Sequence, residues 1–389
     1  MQGFSFHDPV RLVFGAGSIG TLGEHASQWG AHALLVTGRG FARRCGLLDR
    51  ACSLLADRGL QVTVFDRIRP NPDDGTVNEG AELARSAGCD VVVAVGGGSA
   101  MDSAKGIAVA ATHDAPIADF LKVGDRRQPT DATLPIVCAT TTFGTSSELT
   151  RFAVITVEER VQKAAIANDN VYPKVAIVDP ELAVGCPAGI TASTGMDVLA
   201  HAVEGYFSTA ASPVTDLCAE RAMELVASAL PVAMADLDAL GPREQLALAD
   251  VFAGFELSNC GTGVLHSLEH PISAHYPDVA HGAGLAVMMV TWAETLWDRD
   301  PYKFGRIACL LGADVADMSE EDAARRAAPA LADLLETVGL DIGLGDLGIE
   351  REKLPTIADD AMHYMAAGLA KTPGGLDRDQ LIELLEASF

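Results

Sequence analysis

Asp197 and His201 stand four residues apart in the helix-patterned stretch Thr191-Ala-Ser-Thr-Gly-Met-Asp-Val-Leu-Ala-His-Ala-Val-Glu-Gly-Tyr206. On a helix that spacing sends both side chains from one face. A carboxylate and an imidazole so placed supply half of a metal site. The other half is expected downstream, where His266, His270, His275 and His281 crowd residues 266–281. One buried histidine is usually a satisfied core residue, but four together beside an Asp-x-x-x-His pair favour ligation. Asp197, His201, His266 and His281 are therefore the expected ligands of one divalent ion, either Fe2+ or Zn2+. Four protein ligands leave a place for a substrate oxygen only if the geometry opens beyond a closed tetrahedron. His270 lies one turn from His266 and should face the same cleft, as a proton relay or a contact to a cofactor ring. His275 reads as either a substrate-side or a surface residue, with surface favoured, and His363 as structural.

Three other clusters could bind a phosphate or a ribose. In Asp90-Val-Val-Val-Ala-Val-Gly-Gly-Gly-Ser99, a buried strand runs into three glycines, and Ala-Met-Asp102-Ser-Ala-Lys105 continues as a helix. Backbone N–H groups without Cβ atoms can approach a pyrophosphate there, helped by the positive end of the helix. Lys105 does not have the spacing of a Walker A lysine. Thr140-Thr-Thr-Phe-Gly-Thr-Ser-Ser-Glu148 places dense hydroxyls after the next strand, suited to ribose, phosphate or a carboxamide. The third cluster, Gly15-Ala-Gly-Ser-Ile-Gly20, matches G-x-G-x-x-G but lacks an acidic partner after the next strand, so a plain turn is expected. Lys163, in an expected hairpin (151–157, then 161–167), reads as solvated surface.

These residues need a frame. A chain of 389 residues suggests two domains, and 49% hydrophobic residues can fill a large core. Strands are expected at 33–38, 61–66, 90–96, 133–140 and 174–179, with helices at 47–58, 77–87 and 100–111 between them. This alternation predicts an α/β domain with a mainly parallel sheet over residues 1–182, binding ligands at the strands' carboxyl ends. Helical patterns at 194–208, 215–236, 243–259, 284–297, 322–338 and 377–387 predict an all-α domain over 183–389, with a ligand cleft facing the sheet.

The net charge of −25 argues against nucleic acid as a partner, since its binding needs clustered Lys and Arg. No apolar run is long enough to span a membrane. The start, Met-Gln-Gly-Phe-Ser-Phe-His-Asp8, lacks a signal-peptide pattern. Eight scattered cysteines without a C-x-x-C pair fit a reducing, cytoplasmic compartment.

With these motifs assembled, the sequence resembles the iron-containing (group III) alcohol dehydrogenase family over nearly its whole length. The resemblance rests on Gly96–Lys105, Thr141–Glu148, Lys174-Val-Ala-Ile-Val-Asp-Pro-Glu-Leu182, Ala192–His201 and the His266–His281 block. It implies a dinucleotide-binding domain, a helical domain, NAD(P), one metal, a small alcohol or aldehyde substrate, and a homodimer or larger homo-oligomer. By position it implies Asp197, His201, His266 and His281 as metal ligands and His270 beside the nicotinamide. It implies Gly97, Gly98 and Ser99 as the pyrophosphate loop, with Asp102 and Thr145 from the same two motifs in the cofactor set. Thr141, Thr142 and Lys163 would face the ribose and nicotinamide, and Asn71, in Pro70-Asn71-Pro72, the turn beside the cofactor.

Three departures from the family pattern stand out. The His266–His281 interval carries one extra residue. Gly38, followed by Arg39 and with Arg43 and Arg44 nearby, replaces the Asp common in NAD-preferring members, which favours the 2′-phosphate of NADP over NAD. Phe143 and Leu257 alter positions near the substrate. The expected reaction is reversible alcohol–carbonyl hydride transfer with the metal as Lewis acid. The alternatives are a non-redox lyase or cyclase resembling dehydroquinate synthase, or a metal-dependent hydrolase.

Overall fold

Residues 91–96 are an unbroken run of Val, Ala and Gly, as a strand covered on both faces requires. In the computed structural model, which describes residues 3–389, they form the middle of a six-stranded sheet. Met1 and Gln2, the first residues of the segment read as lacking a signal peptide, lie outside the described residues. The strands are β1 (Arg11–Phe14), β2 (His32–Gly38), β3 (Gln61–Ile68), β4 (Val91–Gly96), β5 (Ile136–Thr140), β6 (Phe152–Val157), β7 (Gln162–Ala167) and β8 (Val175–Val178). The large sheet has the order β1-β8-β5-β4-β2-β3, with every pairing parallel, and β6 and β7 form a separate antiparallel pair.

Side chains alternate across this sheet. Leu34, Val36, Val92 and Ala94 pack on Met101 and Ile107, whereas Leu35, Val91, Val93 and Val95 pack on Leu48 and Leu55. Each fully buried Val, Leu or Ile contributes roughly 1.5–3 kcal/mol. The two layers together hold the carboxyl ends of the strands in place. Helices Leu47–Ala56, Asp74–Ala87 and Gly98–Ala110 supply the covering faces. The glycine cluster at 15–20 is a turn: Gly17 N and Ile19 N both donate to the Asp179 carboxylate. β1, which was not expected, pairs with β8 at the sheet edge.

The chain divides between Ala183 and Val184 into two compact units, with residues 3–7 belonging to the second. The second unit is helical. Its site-bearing helices are Ala188–Tyr206, Val264–His275 and His281–Leu296, with Pro213–Ala235 and Leu240–Cys260 packed against the first of them. Glycine permits the closest crossings. A Cβ on Gly282 would fall 1.9 Å from the Ser193 carbonyl oxygen, and one on Gly205 would fall 1.4 Å from Glu256 Oε1. The expected 322–338 helix breaks into Glu320–Ala324 and Ala327–Val338, and helices Pro301–Leu310 and Leu354–Tyr364 were not anticipated. Among the described residues, no helix is long and apolar enough to cross a membrane.

Candidate functional site

The helical unit brings all four expected metal ligands together. Asp197 and His201 project from one helix, His266 comes from the second, and His281 is the first residue of the third. Asp197 Oδ1 lies 3.6 Å from His201 Nδ1, 3.6 Å from His266 Nε2 and 3.7 Å from His281 Nε2. These gaps are too long for hydrogen bonds. They are close to the roughly 3.4 Å separating two donors that each lie about 2.1 Å from a tetrahedral metal ion. Asp197 Oδ1 and His266 Nε2 are buried and have no hydrogen-bond partner among the described residues. Stranded polar atoms of this kind are costly unless a cation satisfies them. Asp197, His201 and His266 therefore form one cluster that fits a first-row divalent ion, while His281 reaches it through Asp197 and also groups with Glu269 and His270.

Two carboxylates stand behind the imidazoles. His266 Nδ1 donates to Glu204 Oε2 at 2.6 Å, and His281 Nδ1 pairs with Glu269. Glu204 also accepts from Leu265 N, and Glu269 from Ser273 Oγ. Occupying Nδ1 in this way turns each Nε2 lone pair toward Asp197. Burial opposes the charge on Asp197, yet His201, His281 and His266 together hold its carboxyl below the usual range. The buried His270 stands beside the cluster, with its ring centre 6.3 Å from that of His266 and 5.7 Å from that of His281. His275 turns away to Asp360, 2.8 Å from its Nε2, and is only 17% exposed; it is a buttress rather than the expected surface residue.

In the α/β unit, Gly97 and Gly98 open the helix Gly98–Ala110 with no side-chain cap on its first turn. A Cβ on Gly97 would meet Thr142 Oγ1 at 2.6 Å, and one on Gly98 would meet Thr145 Cγ2 at 2.4 Å. The triple-glycine loop and the threonine loop thus lie against each other. Gly38 closes β2 beside Gly96, whose Cβ would lie 3.9 Å from Gly38 N. Asn71 holds a left-handed φ of 50° and accepts from Lys163 Nζ at 3.1 Å. Lys163 is buried, not the solvated lysine expected. Ser99 is half-buried and Thr141 buried. Asp102 is tied inward, accepting from Ser147 Oγ at 2.6 Å and from Val154 N at 3.2 Å. Near Gly38, Arg43 is paired with Asp66, and Arg39 Nε donates to the Arg67 carbonyl at 3.0 Å.

The chain itself matches known proteins over nearly its whole length. The "Iron-containing alcohol dehydrogenase" family model covers residues 9–180, and "Fe-containing alcohol dehydrogenase family, C-terminal" covers 191–389. The chain belongs to the iron-containing alcohol dehydrogenase family. The 1,3-propanediol dehydrogenase of Klebsiella pneumoniae is 38% identical, over 92% of each chain. The NAD-dependent methanol dehydrogenase of Bacillus methanolicus is 36% identical, over 92% of this chain and 93% of that one. The archaeal halo-thermophilic Red Sea brine pool alcohol dehydrogenase superposes with a TM-score of 0.96 at 36% identity, covering all of both chains.

As a member of the iron-containing alcohol dehydrogenases, this protein is an NAD-linked, metal-dependent alcohol oxidoreductase, and neither the lyase nor the hydrolase alternative is favoured. Sequence reasoning passed over Glu204 and Glu269. A signal was present: Glu204 lies three residues after His201 on a buried helix, and Glu269 sits between Leu268 and His270 on a helix buried from Val264 to Ser273. An acid on a buried helical face needs a partner.

Proposed function

We propose that this enzyme interconverts small alcohols and their aldehydes or ketones, with residues 1–182 holding the dinucleotide and residues 183–389 the metal. Asp197, His201, His266 and His281 hold the ion, with Fe2+ favoured and Zn2+ the alternative. The observation that carries this reading is the convergence of three imidazole nitrogens on Asp197 Oδ1 at 3.6–3.7 Å. When bound, the metal supplies a Lewis acid for the substrate oxygen, and the nicotinamide supplies the hydride acceptor or donor.

The chain does the rest. Glu204 and Glu269 orient the rings of His266 and His281, and Asp197 contributes the balancing negative charge. His270 takes the hydroxyl proton during oxidation and returns it during reduction. N–H groups of Gly97, Gly98 and Ser99 hold the pyrophosphate. Thr141, Thr142, Thr145, Asn71 and Lys163 hold the ribose and nicotinamide side. Gly38 presents no carboxylate to repel a 2′-phosphate, and Arg39 and Arg44 lie close in sequence, which favours NADP over NAD. Pairing of Arg43 with Asp66 limits that preference. We place the enzyme in the cytoplasm as a homo-oligomer, a setting that suits its eight free thiols.

The test is metal-depleted protein reloaded separately with Fe2+ and Zn2+, then assayed with NADP and NAD against a panel of primary alcohols and aldehydes. Activity that depends on added metal is expected. Activity indifferent to metal overturns the reading, and a strong preference for NAD overturns only the Gly38 argument.

A further inference from the structure

Lys105 is fully buried in the α/β unit, and nothing in the reaction uses it. It sits two turns into the helix that begins at Gly98. Its Nζ donates to three backbone carbonyls, those of Ser147 at 2.6 Å, Thr150 at 2.9 Å and Phe152 at 2.6 Å, and to Ser147 Oγ at 2.9 Å. Three N–H bonds aimed at three carbonyls fit an ammonium, because a neutral amine would turn a lone pair toward one of them. Ser147 Oγ in turn donates to Asp102, one turn back on the same helix, and Asp102 also takes the N–H of Val154. Helix, threonine loop and strand β6 are therefore joined in one knot. The knot closes over Ser146, a non-glycine residue held at φ 48°.

The far end of this loop is where the threonines meet the glycines. Thr145 sits so close to Gly98 that a single added methyl would overlap it, and Thr142 does the same at Gly97. A small slide of residues 141–152 along the helix would either block the N–H groups at the helix start or pull the hydroxyls away from them. Burying a cation and a carboxylate, here joined through Ser147, is expensive and weak ground for net stability, which leaves the arrangement they fix as the role to test.

We propose that Lys105 and Asp102, acting through Ser147, are positioning residues for nucleotide binding: they set the register of the threonine loop against the glycine turn without touching the nucleotide. This rests on the reading that the glycine turn holds the pyrophosphate, and it reassigns Asp102 from cofactor contact to support.

The experiment compares wild type with Ser147→Ala, Ser147→Thr and Asp102→Asn in the metal-loaded, full-length enzyme. NADPH and NADH binding are titrated by fluorescence, with metal content, KM and kcat measured alongside. Ser147→Ala and Asp102→Asn should raise the Kd and KM for nucleotide at least tenfold. At saturating nucleotide kcat should stay within about threefold, with the metal retained. Ser147→Thr, which keeps the hydroxyl, should stay within about threefold of wild type in Kd. If wild type binds nucleotide and Ser147→Ala leaves Kd within twofold, the positioning role is overturned. Loss of kcat at unchanged Kd overturns it as well. If wild type binds neither nucleotide, the underlying functional reading fails instead. Should Asp102→Asn fold poorly, Ser147→Ala, the smallest deletion in the knot, still decides the matter.

Discussion

Glu204 and His266 meet at 2.6 Å, carboxylate oxygen to Nδ1, and the opposite nitrogen of the same ring lies 3.6 Å from Asp197. One ring thus connects two buried acids, and the outer acid decides which nitrogen faces Asp197.

Removing that outer acid should loosen the metal without removing a ligand. Glu204→Gln keeps the volume but loses the charge that favours a proton on Nδ1. Metal affinity should fall roughly 10–100-fold. Chelator competition on the purified protein measures it, and unchanged affinity would show that Glu204 serves only to receive the Leu265 N–H.

The metal-free protein should show its own pH dependence. Burial pulls the His266 imidazole down, but the nearby Asp197 carboxylate, the hydrogen bond His266 makes to Glu204 and the negative charge of both acids outweigh it and carry the group up from 6.5 to about 9. A pKa raised in the folded state means that the protonated form stabilises the fold. The contribution is complete below about pH 6.5 and is lost as pH rises through about 9. The melting temperature of metal-depleted enzyme should therefore fall across that window. Metal-loaded enzyme should not show this fall, because the ion replaces the proton on Nε2. A flat profile for the metal-depleted form counts against the assignment.

His270→Ala should lower turnover while sparing the metal. General acid–base groups typically contribute roughly 10²–10⁴-fold, and a ring 5.7 Å from His281 is well placed for that work. The decisive measurement is the pH–rate profile at saturating cofactor. Full activity at every pH would remove His270 from the proton path.

Gly205→Ala should destabilise the helical unit, because the new methyl would coincide with the buried carboxyl of Glu256. Overpacking of this kind costs about 1–3 kcal/mol. Urea unfolding of the metal-loaded protein reads the loss, and adding Glu256→Ala should recover part of it. If the single variant is as stable as wild type, Glu256 has room to move.

Much of this was legible in the residues. Asp197 and His201 declare a shared face by their spacing, and β4 announces itself by running apolar residues into glycine. β1 was hidden because four residues, Arg11–Phe14, with two half-buried positions carry too little pattern to stand out from a loop. The helix Val264–His275 carries Pro271 inside it, a residue that normally argues for an end. Glu204, Glu269 and Lys163 were missed or misjudged for one reason: a charged side chain reads as solvated until the fold shows what lies over it. The pairing of Lys163 with Asn71 spans 92 residues of sequence, and no local pattern encodes that.

The four donors come from three helices, and the last, His281, lies well beyond the first two in the chain. A nascent polypeptide that has not yet extended past that position offers only part of the cage. The full donor set can therefore close only after the chain has extended past residue 281.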